Sequence, residues 1–198
     1  MDKILIKSVG RTGSHIISEY FKNCGYYYVQ IHFDGEIDKD VSDNIDLQKI
    51  IESKEKLVVY SHDVNYIPKN TETFVLISSV RRNKFDQYCS FEVAQKTNQW
   101  TKYKKNVDKI SIEKSKDING FIYAYTQYQN TVLQQSRNYK WNDFKEIYYE
   151  DIIDSIDYLK KIFPLKLLYT NKVFEKSPYN YSNIIVDYEN LNKLYGEK

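Results

Sequence analysis

A chain of 198 residues can bury the core of one ordinary domain, and no shift in composition marks a place to divide it, so residues 1–198 are read as a single domain. Its 29 Lys and Arg against 27 Asp and Glu leave a net charge of +2, which argues against a general binder of nucleic acid or anionic membrane; any anion must be held locally. The cysteines Cys24 and Cys89 stand far apart, without CxxC spacing or a neighbouring histidine run, and indicate neither a disulfide framework nor a zinc site.

Met1-Asp2-Lys3 leads directly into an apolar run, without the features of a signal peptide, and no run reaches the length of a membrane span. The expected location is therefore a reducing cytoplasm. The β-branched run Ile4-Leu5-Ile6, ending at Ser8-Val9-Gly10, predicts a first strand. From Ser14 the apolar residues Ile16, Ile17, Tyr20 and Phe21 recur at helical spacing. Tyr26 to Phe33 is a second strand, Leu47, Ile50 and Ile51 mark a short helix, and Leu57-Val58-Val59-Tyr60 is a third strand. After Pro68, Thr73 to Val80 is a fourth, followed by a helix from Asn83 to Ala94.

Residues 96–118 are polar and lysine-rich and are expected to form a mobile flap. Phe121 to Leu133 predicts a long amphipathic helix, Lys145 to Tyr149 a strand, and Asp151 to Phe163 a helix stopped by Pro164. The tail from Lys172 is expected to be less regular. Strands separated by helices predict an α/β fold with a mainly parallel sheet. In such a sheet ligands sit outside the carboxyl ends of the strands, and three segments with chemical potential follow strands in that way: Gly10 to Ser14, Ser61-His62-Asp63 and Arg81-Arg82-Asn83.

The loop Gly10-Arg11-Thr12-Gly13-Ser14 combines a tight glycine turn with a helix that begins at its positive dipole end, which suits a phosphate. Arg11 can neutralise charge, and Thr12 and Ser14 can donate from their hydroxyls. The same five residues also fit a plain strand-to-helix turn with Ser14 as N-cap. A Walker A loop is excluded, because its glycines are farther apart and a Lys-Ser or Lys-Thr pair follows the second, where this chain has Ser14-His15. That disfavours a nucleotide-dependent kinase. Gly-Arg-Thr-Gly also occurs in protein tyrosine phosphatases, but their nucleophilic cysteine would fall at Leu5.

Taken in order, these motifs resemble the PAPS-dependent sulfotransferases, in particular short sulfotransferase-like proteins of bacteria and their viruses. Arg11-Thr12-Gly13-Ser14 is similar to the family's 5′-phosphosulfate loop, with His15 where a second hydroxyl is common. The run from Val80 to Ser90 is similar to the 3′-phosphate motif, with Arg82 and Ser90 at the matching positions. Leu57 to Asp63, followed by Pro68, resembles the strand that delivers the catalytic histidine, here His62. His32, with Asp34 and Glu36, is the reserve for the base. Ile147-Tyr148-Tyr149-Glu150-Asp151 is similar to the family's Tyr-Glu-Asp segment, for which a structural role in positioning the late helix is expected.

The resemblance covers residues 3 to 95 and, more loosely, 145 to 163. It implies a P-loop-NTPase-like sulfotransferase fold and sulfuryl transfer from PAPS to a hydroxyl or amine of a small-molecule or glycan acceptor. Adenosine 3′,5′-bisphosphate (PAP) would be left, and no metal would be needed. His62 would be the base, and Arg11, with the amides of Gly13 and Ser14, would stabilise the leaving phosphate. Thr12 and His15 would complete the loop, while Arg82 and Ser90 would hold the 3′-phosphate. The family's C-terminal Arg-Lys-Gly segment is absent; Lys172, Lys176 and Ser177 stand as substitutes beside the plainer reading of a solvated tail. The alternative is a non-catalytic nucleotide-binding protein.

Overall fold

The computed structural model describes residues 3–32, 47–97, 115–168 and 180–196. Among them, five strands form one sheet: β1 (Lys3–Lys7), β2 (Tyr27–Ile31), β3 (Leu57–Ser61), β4 (Phe74–Val80) and β5 (Asp143–Tyr148), in the order β2-β3-β1-β4-β5. Every pairing is parallel; Ile6 lies opposite Tyr60 on one side and Ile77 on the other. The predicted α/β fold with a parallel sheet is therefore the observed one. The three central strands are covered on both faces, which is why their sequences read as continuous apolar runs rather than alternating ones.

Alternate residues of those strands feed two cores. Ile4, Ile6, Val58, Tyr60, Val75 and Ile77 pack with Ile17, Tyr20 and Phe21 of α1 (Ser14–Asn23). Leu5, Leu57, Val59, Phe74 and Leu76 pack with Ile50 and Ile51 of α2 (Leu47–Ser53), and with Val132 of α4 (Ser115–Asn138). Each fully buried Leu, Ile or Phe contributes roughly 1.5–3 kcal/mol, and a one-residue slip would exchange the two faces; register is strongly specified. Helix α1 ends in a left-handed Gly25 (φ 85°). The Gly25 N–H donates to Lys22 O and the Tyr26 N–H to Phe21 O, the pairing that lets a helix reverse into a strand.

Helix α3 (Lys84–Thr97) follows β4 and forms a third core with α4 and with two C-terminal helices, α7 (Tyr181–Ile184) and α8 (Tyr188–Tyr195). The Tyr188 hydroxyl donates to Asp86 of α3 over 2.6 Å. The expectation of a less regular tail is thus amended for its described part: Tyr181, Ile184 and Ile185 are buried and supply an apolar face that α3 and α4 need. Of the expected flap 96–118, residues 96–97 are the end of α3 and residues 115–118 the start of α4; residues 98–114 lie outside those described. The single helix expected from Asp151 to Phe163 is two, α5 (Tyr149–Ile152) and α6 (Asp157–Ile162). Ser155 between them uses its hydroxyl to accept the Asp157 N–H, a local bond that competes with helix continuation. No described helix is long and apolar enough to cross a membrane.

Candidate functional site

The carboxyl ends of the adjacent strands β3, β1 and β4 bring together the three segments singled out in the sequence. The chain leaves β1 toward β2 on one side of the sheet and leaves β4 toward β5 on the other, so β1 and β4 flank the reversal of strand order where open α/β sheets bind ligands.

The loop after β1 is held from its neighbours rather than by itself. Gln87 of α3 donates to Gly10 O over 2.9 Å, Ser79 of β4 donates to Thr12 O over 2.8 Å, and Arg11 Nε donates to Ser90 Oγ over 2.7 Å. Arg11 (φ 70°) and Gly13 (φ 81°) are both left-handed; the first is uncommon for a residue with a Cβ. A Cβ on Gly13 would meet Tyr149 Cδ2 at 2.8 Å, so glycine is required by packing as well as by its dihedral angle. The N-cap of α1 is Gly13, without a side-chain cap bond, and Ser14 is the first helical residue. The N-cap reading of Ser14 is thereby corrected: its hydroxyl donates instead to Tyr60 OH over 2.9 Å. Thr12 is wholly buried, and its Oγ1 has no partner among the described residues. Such a group costs stability unless something fills its hydrogen bond.

His62 follows β3, and its Nδ1 lies 3.2 Å from Ser8 O and 3.4 Å from Tyr60 OH. A carbonyl only accepts, so this contact puts the proton on Nδ1 and leaves Nε2 as the basic nitrogen of the neutral ring. Burial drives its pKa down to about 4; the Ser8 carbonyl opposes this, and His15 and His32 add to it. The His32 ring stacks at 6.5 Å from His62, and the His15 ring meets Tyr60 edge-on at 5.8 Å. All three histidines of the chain thus gather in one place. His15 reaches solvent, yet the protein atoms packed around its ring, followed by the Arg11 charge, hold its pKa below the usual value. Asp34 and Glu36 lie outside the described residues.

At the end of β4 the two arginines part. Arg82 makes a bidentate pair with Asp151 (2.8 and 2.9 Å) and lies 4.1 Å over the Tyr148 ring, while its backbone N–H is met by the Glu150 carboxylate at 3.1 Å. Glu150 also accepts from Asn83 N–H over 3.4 Å. Ser90 is the partner of Arg11 and Asp151 that of Arg82, so the two residues expected to share a phosphate are each engaged elsewhere. Arg81 is buried, 4.5 Å over the Tyr149 ring and 3.9 Å from Asp86, and its Nε has no partner among the described residues. An open cavity of about 360 Å³ adjoins this strand end, lined among others by Arg81, Arg82, Lys84, Gln129 and Glu146.

Two contributors, Tyr60 and Lys7, escaped the sequence reading. Tyr60 sits two residues before His62, with its ring 4.6 Å from the imidazole; an i, i+2 spacing along extended chain was the available signal. Lys7 is wholly buried, its ammonium donating to Val64 O (2.6 Å) and lying 3.5 Å from Asp63 O. Burial lowers its pKa to about 7, against the attraction of Asp63. A cation ending an otherwise apolar strand was the signal there. Glu150 and Asp151 were expected to serve structure, and their carboxylates also neutralise the Arg82 end of β4. Among the described residues no cluster of His, Cys, Asp or Glu could hold a metal ion, and both cysteines are buried and unpaired.

No family model matches the chain, and no match was found among curated proteins. Among solved structures it is similar to a crystal structure of retinol dehydratase in complex with androsterone and inactive cofactor PAP, at 14% identity and a TM-score of 0.44. The similarity covers 81% of this chain and 58% of that one, so the chain spans little more than half the length of the protein it resembles.

Proposed function

We propose that the chain transfers a sulfuryl group from PAPS to the hydroxyl or amine of a small acceptor. The observation that carries this reading is the meeting, at adjacent strand ends, of a glycine-turned loop at the start of α1 with an imidazole whose basic nitrogen is Nε2. The buried Thr12 hydroxyl, which has no partner among the described residues, fits an anion seated on that loop, and at Gly10 nothing lies within 4 Å of where a Cβ would stand, so a phosphate oxygen can approach the backbone there. In the transfer, the acceptor oxygen or nitrogen attacks sulfur as the bond from sulfur to the bridging phosphate oxygen breaks. His62 Nε2 takes the acceptor's proton, and Arg11 with the amides of Gly13 and Ser14 meets the charge that grows on the departing phosphate.

Arg82 and Ser90 are the residues proposed for the 3′-phosphate, in which case Asp151 and Arg11 must release them on binding. The competing reading is a nucleotide-binding protein without transferase chemistry; Arg82, Ser90 and Ser14 all have internal partners, and either reading requires those contacts to open. Incubation with radiolabelled PAPS and a panel of small hydroxyl and amine acceptors separates the two. Label transferred to an acceptor, with release of PAP, supports the transferase; tight PAP binding with no transfer supports the binding protein. Absence of PAP binding in calorimetry would end both.

A further inference from the structure

Tyr60 lies in β3 one residue before its end and His62 directly follows the strand, and the Tyr60 ring, 1% exposed, lies 4.6 Å from the imidazole. Its hydroxyl is the meeting point of three groups from the two strand ends. Ser14 Oγ donates to it over 2.9 Å, Ser8 Oγ is 3.4 Å away, and His62 Nδ1 is also 3.4 Å away. The Ser8 hydroxyl in turn donates to Val9 O over 3.2 Å. A phenol has one proton to give. While it accepts from Ser14 it gives that proton to Ser8, and a directed chain runs from Ser14 through Tyr60 and Ser8 to the Val9 carbonyl.

Resting on the sulfotransferase reading, we propose that Tyr60 is a positioning residue that couples occupancy of the Gly10–Ser14 loop to the basicity of His62. An anion on the loop accepts a hydrogen bond from the Ser14 hydroxyl in place of Tyr60. Tyr60 then turns its own proton from Ser8 to Ser14 Oγ, and the lone pair so released faces His62 Nδ1–H, which already meets the Ser8 carbonyl. Only hydroxyl rotation is needed; no covalent bond changes. A second acceptor for Nδ1–H stabilises the imidazolium more than the neutral ring, so Nε2 becomes a stronger base when the donor is in place.

Burial opposes ionisation of Tyr60, which keeps it a neutral relay rather than a phenolate. The other titratable groups around the pair are His15 and Arg11 from the α1 side and His32 after β2. Tyr128 of α4 donates to Ser61 O over 3.3 Å, and Lys7 and Asp63 lie beyond it. None of these is altered by removing the Tyr60 hydroxyl, so their field, and that of the bound anion, is common to wild type and variant.

Histidine side-chain NMR titration, with and without saturating PAP, tests the coupling in wild type, Tyr60→Phe and Ser8→Ala; only three rings need assignment. PAP should raise the His62 midpoint in wild type by about 0.5–1 pH unit more than in Tyr60→Phe, the scale of one added hydrogen bond. Ser8→Ala removes the partner that holds Tyr60 turned away, so its His62 midpoint should already be raised without ligand. It decides the matter by itself if Tyr60→Phe does not fold. Calorimetric PAP binding with equal His62 shifts in all three proteins would overturn the coupling while sparing the functional reading. Failure of wild type to bind PAP would overturn both.

Discussion

The two strand ends that flank the candidate site solve the same problem with different chemistry. At β1 and β3 the cations Arg11 and Lys7 bond a hydroxyl and a backbone carbonyl. The other partners are hydroxyls, carbonyls and imidazoles, among them Ser8, Ser14, Tyr60 and His62, linked through hydroxyls that can rotate. Beyond β4 the partners are full charges: Arg82 is gripped by Asp151, and the Glu150 carboxylate stands against the first amides before α3. A carboxylate there occupies the electrostatic position an anionic ligand would take. A ligand can therefore join the first region with little rearrangement, whereas at the second it must displace a resident carboxylate.

The largest effect should come from breaking the β1–β3 end. His62→Ala is expected to lower turnover by roughly 10²–10⁴ while PAP affinity in calorimetry stays near wild type. An unchanged rate would pass the role of base to His32, Asp34 or Glu36. The same variant has a stability signature. Folding lowers the His62 pKa from 6.5 to about 4, so over that window the unfolded chain binds the extra proton. Wild-type stability should fall as pH drops from 6.5 to 4, by at most roughly 3 kcal/mol, and level off below; His62→Ala should lack that component.

The charged end is sharpened by a pair of variants. Removing a charged hydrogen-bond partner costs about 1.5–3 kcal/mol, so Arg82→Ala should weaken PAP roughly ten- to two-hundred-fold and leave AMP almost unchanged. Asp151→Asn should act oppositely and tighten PAP, because it frees the guanidinium from its resident partner. Calorimetry with both nucleotides checks the pair. Loss of PAP and AMP in equal measure from Arg82→Ala would leave a diffuse positive field as the only contribution there.

Smaller effects probe the scaffold shared by both ends. Gly13→Ala places a Cβ 2.8 Å from the Tyr149 ring at a left-handed φ, and should cost about 1–2 kcal/mol in denaturant unfolding. Tyr149→Ala in the same background should recover only the steric part. The smallest effect is expected at Lys7. Its folded pKa of about 7 lies below the ordinary 10.5, so between those values the unfolded chain holds the additional proton and stability rises with pH. From pH 7.5 to 8.5 wild type should gain about 1 kcal/mol that Lys7→Met does not. Parallel stability curves for the two proteins would mean that the ammonium is not desolvated.

Much was legible along the chain because it is local. The apolar runs of β1, β3 and β4, the helical spacing of Ile16, Ile17, Tyr20 and Phe21, and the glycine turn between strand and helix are set by steric preference and burial over a few residues. They were sufficient to predict a parallel α/β sheet with three chemically suggestive segments at strand ends. Which partner each polar group takes was decided elsewhere, since a hydrogen bond depends on position in space and most partners here are distant in sequence. Arg11 finds Ser90 across 79 positions, Arg82 finds Asp151 across 69, and His62 finds the Ser8 carbonyl across 54. Strand order alone sets β3 and β4 on either side of β1, and that adjacency turned separate motifs into a hydroxyl-linked network at one end and a neutralised charge pair at the other.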